Sequence, residues 1–146
     1  ENGCRKRLNV VTTTPSDMEP TGTDISDAIK KINAIKKSYK ILNEECNLEI
    51  VDQANWSNVF CFRKTSFDGS ERILVILNKD VNNYQGVHFE NVNGAIGSDS
   101  KVVDISPMYT LDAVSPNFEY NLRPGQVIVL YSKKIKWPEF LPGDEL

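Results

Sequence analysis

Two hydrophobic periods divide this chain. From Asp24 onward, Ile25, Ile29, Ile32, Ile35 and Tyr39 recur at steps of four, three, three and four, which predicts one apolar stripe along a helix. Lys30, Lys31, Lys36, Lys37 and Lys40 occupy the remaining faces and gather late, where the helix dipole favours positive charge. They read as a solvated face. Asp24 is the expected N-cap, Asp27 places a carboxylate in the first turn, and Asn43 is the expected stop. A lone amphipathic helix cannot bury its own stripe, so this one has to rest on a sheet or on protein outside the sequence.

Past the helix the period falls to two. Residues 58–64 read as a strand, with Val59, Cys61 and Arg63 on one face and Phe60, Phe62 and Lys64 on the other. A turn at Ser66-Phe67-Asp68-Gly69-Ser70 follows, with Asp-Gly as its strongest signal. The next strand, 72–78 (Arg-Ile-Leu-Val-Ile-Leu-Asn), is apolar at both parities and is expected to be central and covered twice. Shorter strands are expected at 86–89, 100–105, 118–122 and 126–132, separated by Asn, Gly, Asp and Pro at 92–99, 106–107, 115–117 and 123–125. Short strands with turn signals at this spacing predict a mainly β fold, an antiparallel sandwich carrying one N-terminal amphipathic helix. Residues 1–23 read as approach loop, and the tail from Lys133 offers Trp137, Phe140 and Leu141 as anchors against the body.

Composition narrows the picture. The chain has 146 residues, 40% hydrophobic and 25% charged, a globular balance. That length excludes a complete large-barrel enzyme of about 250 residues, yet a chain of this size buries roughly two thirds of its extended surface without a metal or disulfide staple. Seventeen basic residues against twenty acidic ones create no field that would gather nucleic acid or anionic lipid. No apolar run is long enough to span a bilayer. Cys4, Cys46 and Cys61 are odd in number and far apart, matching no disulfide scaffold or zinc site; reduced thiols in a cytoplasmic protein are the simplest account. The sequon Asn55-Trp56-Ser57 is too common to argue for secretion. A start at Glu1, without initiator methionine or signal-peptide pattern, reads as a piece of something longer.

The chemistry of a catalytic centre is sparse. His88 is the only histidine and reads as structural or solvent-facing. No Gly-rich phosphate cradle is encoded, and no cofactor or metal is expected. Glycosidase chemistry needs two carboxylates held roughly 5–9 Å apart, and nothing distinguishes Glu44, Glu45, Glu49, Asp52, Asp99, Asp104 or Asp112 from surface charge. No catalytic residue is therefore assigned. Among the rings Trp56, Tyr84, Tyr109, Tyr120, Tyr131 and Trp137, a sugar platform competes with ordinary core and interface packing. The carbohydrate-binding candidates taken forward are Trp56, Trp137 and Tyr109.

Three stretches resemble, in order, the end of the alpha-amylase family of glycoside hydrolases. These are Ile32-Asn33-Ala34-Ile35-Lys36-Lys37, Asn58-Val59-Phe60-Cys61-Phe62-Arg63-Lys64 and Gly69-Ser70-Glu71-Arg72-Ile73-Leu74-Val75-Ile76-Leu77-Asn78. In that family the last barrel helix carries a stretch like "i..l..lR", followed by a strand like "v..f.R" and a partner like "g.e.llvvlN". Leu122-Arg123-Pro124-Gly125-Gln126-Val127-Ile128-Val129-Leu130-Tyr131 is similar to the closing "l.pg.v.vl" strand. Together these cover residues 24–131. Lys36-Lys37 stands where the family usually has an arginine, and 107–116 forms an irregular insert. A closer likeness is to members that move or cleave alpha-1,4-glucan units.

The resemblance implies that residues 1–43 end a (β/α)8 barrel, that 44–132 form the C-terminal β-sandwich domain and that 133–146 are a tail. It implies a non-catalytic, stabilising role, since the family's catalytic carboxylates lie on earlier barrel strands. The implied partners are the catalytic barrel of the same parent polypeptide and an alpha-glucan, with no nucleic acid and no membrane. Two readings from other classes stand beside it: a stand-alone carbohydrate-binding module, and a structural or protein-interaction sandwich.

Overall fold

The computed structural model describes residues 24–45, 47–53 and 56–134. Its elements run α1 (Ser26–Ser38), a 3-10 turn (Lys40–Asn43), β1 (Leu48–Ile50), β2 (Val59–Thr65), β3 (Glu71–Asn78), β4 (Gln85–Phe89), α2 (Val92–Ile96), β5 (Val102–Asp104), β6 (Phe118–Leu122) and β7 (Val127–Lys133). Five strands form an antiparallel sheet in the order β1-β2-β3-β7-β5, and β4 pairs with β6 in a separate antiparallel ribbon. The mainly β, sandwich-like fold expected from the two-residue period is the fold observed.

β3 is central, as its double apolar face requires. Its register against β2 and β7 sets Cys61, Ile76 and Ile128 in one row and Leu74 beside Leu130 in the next. These side chains point inward and meet Val87, Phe89, Phe118 and Leu122 from the β4–β6 ribbon, together with Val92 and Ile96 from α2, in one buried cluster. Burial in that cluster pushes the Cys61 thiol up to about 12, which makes it a packing residue rather than a nucleophile.

α2 lies in the stretch that the sequence pattern assigns to a separator. Asn91, just before that stretch, and Gly97 within it are its caps. The Asn91 side chain accepts from Gly94 N at 3.2 Å, and Gly97, at φ 77°, donates its N–H to Asn93 O at 2.8 Å. Arg63 Nη1 donates to the Ala95 carbonyl at 3.2 Å, which fixes the end of the helix over the sheet. β1 is likewise shorter than any period can reveal. In α1, the Asp24 carboxylate accepts from Ser26 N at 2.9 Å while Ile25 takes the N-cap position, one residue later than expected. The helix stops at Ser38, and Asn43 closes it from beyond by donating its amide to the Lys36 carbonyl at 2.6 Å.

The outer face of the five-stranded sheet has an unequal cover. At one end the 3-10 turn lies against β3, Ile41 and Ile73 are buried, and the Tyr39 ring sits 4.6 Å from that of Tyr131. Toward the other end Ile50, Phe62, Val75 and Val129 form one row and Phe60, Leu77 and Val127 the next. Ile50 is 67% exposed, Val127 is also exposed, and the others are half-buried. No residue of α1 is buried, and Ile25, Ile29 and Ile32 of its stripe are exposed.

Two stability measurements follow. Gly97 holds a left-handed backbone, and a Cβ there would lie 2.4 Å from Arg72 Nη1. The arginine tip can shift but the backbone cannot, so Gly97→Ala is expected to cost about 1–2 kcal/mol in urea unfolding; an unchanged midpoint would contradict this. In the β2–β3 turn, Asp68 accepts from Ser70 Oγ at 2.6 Å, Ser70 N at 3.0 Å and Ser66 Oγ at 2.8 Å, and pairs with Lys40. These bonds, those from Ser70 first, hold its carboxyl well below the usual range. A depressed carboxyl stabilises the fold above its unfolded pKa of about 3.9 and loses that effect as pH falls toward the folded value. The melting temperature of Asp68→Asn should thus lie below that of the parent chain at pH 7, with the gap narrowing on acidification. A gap that widens in acid would reverse the assignment.

Candidate functional site

Alternation along β4 and β6 builds the site. Val87, Phe89, Phe118 and Leu122 turn inward, which leaves Gly86, His88, Glu119 and Asn121 exposed on the other face. The register sets Gly86 opposite Asn121 and His88 opposite Glu119. The loop after β1 brings Gln53 and Trp56 alongside, with Trp56 N donating to Gln53 O at 2.9 Å. Together they bound an open cleft of about 530 Å³, with Val87 and Tyr120 in its lining.

Trp56 is half-buried, and its indole meets Phe89 edge-on with centroids 5.4 Å apart. That contact with a core ring fixes the orientation of the indole. His88 is solvent-facing, as its sequence context suggests, and its Nε2 lies 2.6 Å from Asn117 Oδ1. Tyr120 is held from below, stacked on Phe118 at 6.2 Å with its hydroxyl accepting from Gln126 Nε2 at 3.0 Å. Among the described residues no lysine or arginine lines the cleft.

The other candidate rings fare differently. Tyr109 is exposed and adopts φ 55°, but the Arg123 guanidinium covers one face of its ring at 3.9 Å from the centroid. It does not line the Trp56 cleft. Trp137 lies outside the described residues. Gln53, Gly86, Glu119 and Asn121 were not singled out by sequence reasoning. The one signal available was Gly86 itself, a glycine inside a strand pattern.

A larger cleft of about 720 Å³ opens between the end of α1, the β2–β3 turn and the end of β7. Its lining sets the four lysines Lys37, Lys40, Lys133 and Lys134 against two carboxylates, Asp68 and Glu71. Lys40 Nζ lies 3.2 Å from Asp68 and 3.7 Å from Glu71, whose Oε1 accepts from the Tyr131 hydroxyl at 2.7 Å. No group of three or more His, Cys, Asp or Glu side chains among the described residues is arranged to hold a metal ion. Among them, too, no helix is long and apolar enough to cross a membrane.

No protein-family model matches the chain, and no curated protein sequence does. Among solved structures, AmyP, crystallised in complex with maltose, superposes on 75% of this chain with a TM-score of 0.55 and 12% identity. A proposed alpha-galactosidase/melibiase from Bacteroides fragilis covers 58% of the chain at 18% identity, but its TM-score of 0.43 is too low to argue from. The likeness to AmyP is one of fold alone: this chain shares the fold of part of AmyP. It spans 21% of AmyP.

Proposed function

We propose that this chain is the non-catalytic C-terminal stabilising domain of an alpha-amylase-family enzyme acting on alpha-1,4-glucans, with its partner the catalytic barrel of the same polypeptide. The observation that carries the reading is the apolar surface left uncovered among the described residues. Ile50, Phe60, Phe62, Leu77 and Val127 on the outer sheet face, and Ile25, Ile29 and Ile32 on α1, are apolar side chains left exposed or half-buried. Fully burying one such side chain is worth about 1.5–3 kcal/mol, and contiguous apolar patches of this kind mark interaction surfaces. A fold shared with about a fifth of AmyP supports a partner that is the rest of a larger enzyme. The order of the sequence motifs supports an alpha-glucan enzyme in particular. In this reading residues 1–43 complete the barrel, 44–132 form the domain and 133–146 trail from it.

The reading separates two effects of one substitution. Ile50→Lys changes a side chain that is 67% exposed. In the isolated chain it should shift unfolding by no more than about 0.5 kcal/mol, as for other surface changes. In the complete parent enzyme the same change should destabilise by about 1–3 kcal/mol through loss of burial. Equal, small effects in both would overturn the docking face. The isolated chain is also expected to release no reducing sugar from maltooligosaccharides, and turnover by it would overturn the non-catalytic role.

A further inference from the structure

We propose that the acidic tail of this chain, residues 135–146, docks into the lysine-lined cleft between the end of α1, the β2–β3 turn and the end of β7. Among the described residues, Lys40 is the lysine of that cleft with counter-ions, and it takes both carboxylates, Asp68 and Glu71. Lys37, Lys133 and Lys134 are exposed and have no ion-pair partner among those residues. An acceptor in the same wall lacks a donor. The Glu71 side chain is only 6% exposed, and while its Oε1 accepts from the Tyr131 hydroxyl, Oε2 has no hydrogen bond among the described residues. A buried acceptor is costly to leave in that condition. The occupant that fits this cleft therefore brings anionic groups for the lysines and an N–H or O–H donor for Glu71.

The tail meets both demands. Residues 135–146 set Glu139, Asp144 and Glu145 against one cation, Lys136. Trp137 carries an indole N–H, which donates only, and a ring face that attracts a lysine ammonium. The tail also departs from the cleft itself. Lys134, the residue before it, is part of the lining and donates its N–H to Ser70 O at 2.7 Å. Glu139 follows Lys134 by five positions, so at about 3.3–3.6 Å per residue it reaches about 17 Å from that wall. A tether this short gives an effective concentration in the millimolar range, which favours the chain's own tail over a second copy. Exposed ion pairs are individually weak, so docking depends on several of them acting together with the ring. It needs neither a barrel nor a sugar.

Nitrogen-15 relaxation of the 146-residue chain tests this directly. In low salt, backbone order parameters over 137–145 are expected near the rigid value of about 0.85. In 1 M salt, where the Debye length is about 3 Å, they should fall below about 0.6. Nuclear Overhauser contacts are expected from the Trp137 ring to Lys37 and Ser70. Lys37→Glu combined with Lys134→Glu should release the tail in low salt, and both lysines are exposed, so the sheet resonances should stay in place. Asp144→Lys combined with Glu145→Lys should release it equally, and all four changes together should restore order. Three results would each overturn the proposal: a tail already below about 0.6 in the parent chain at low salt, order that survives either charge reversal, or order lost on dilution. The last would make a second copy the occupant.

Discussion

Everything in this fold hangs on β3. Its Glu71–Asn78 backbone is paired along its length, with β2 on one side and β7 on the other. Its side chains are apolar at both parities, whereas an antiparallel strand usually leaves one face to water. Leu74 and Ile76 are satisfied within the chain, because the β4–β6 ribbon and α2 close over them. On the reverse face, Ile73 is buried where the 3-10 turn lies against the strand, but Val75 and Leu77 remain half-buried. A strand built to be covered twice is here covered fully on one face and only in part on the other.

Polar groups at both ends of β3 anchor the arrangement. Asn78 is buried at its exit. Its amide donates to the carbonyls of Asn83 and Arg123, each at 2.9 Å, while its side-chain oxygen accepts from Asp80 N at 2.9 Å. One side chain thereby ties the loop before β4 to the turn after β6, and so holds the ribbon that carries the cleft. At the strand's entry Glu71 is also buried, and it accepts from the Tyr131 hydroxyl across β7. Buried groups of this kind are costly to leave unpaired, so these pairs help to fix both the register and the position of the ribbon.

The parts legible in the sequence are those in which a period persists. The isoleucine stripe of α1, the β2–β3 hairpin and the closing strand are all visible there, and β6 occupies the bounds its pattern predicts. β1 has three residues, too few for alternation to register. In α2, Asn91 and Gly97 look like breakers until their capping bonds are seen. The cleft was legible only through Trp56. Its other walls come from residues more than thirty positions apart, and only strand register sets Gly86 against Asn121. The sequence also poses the question of what covers α1 without naming the cover, because an amphipathic stripe specifies a need rather than a partner.

On the proposed reading, these residues work as one part of a larger glycan-processing enzyme. The most direct measurement is the mass of the native product in source cells, read with an antibody raised against this 16.5 kDa chain. A band several times larger is expected, as for a chain that spans 21% of AmyP. A band at the mass of the chain itself would contradict it.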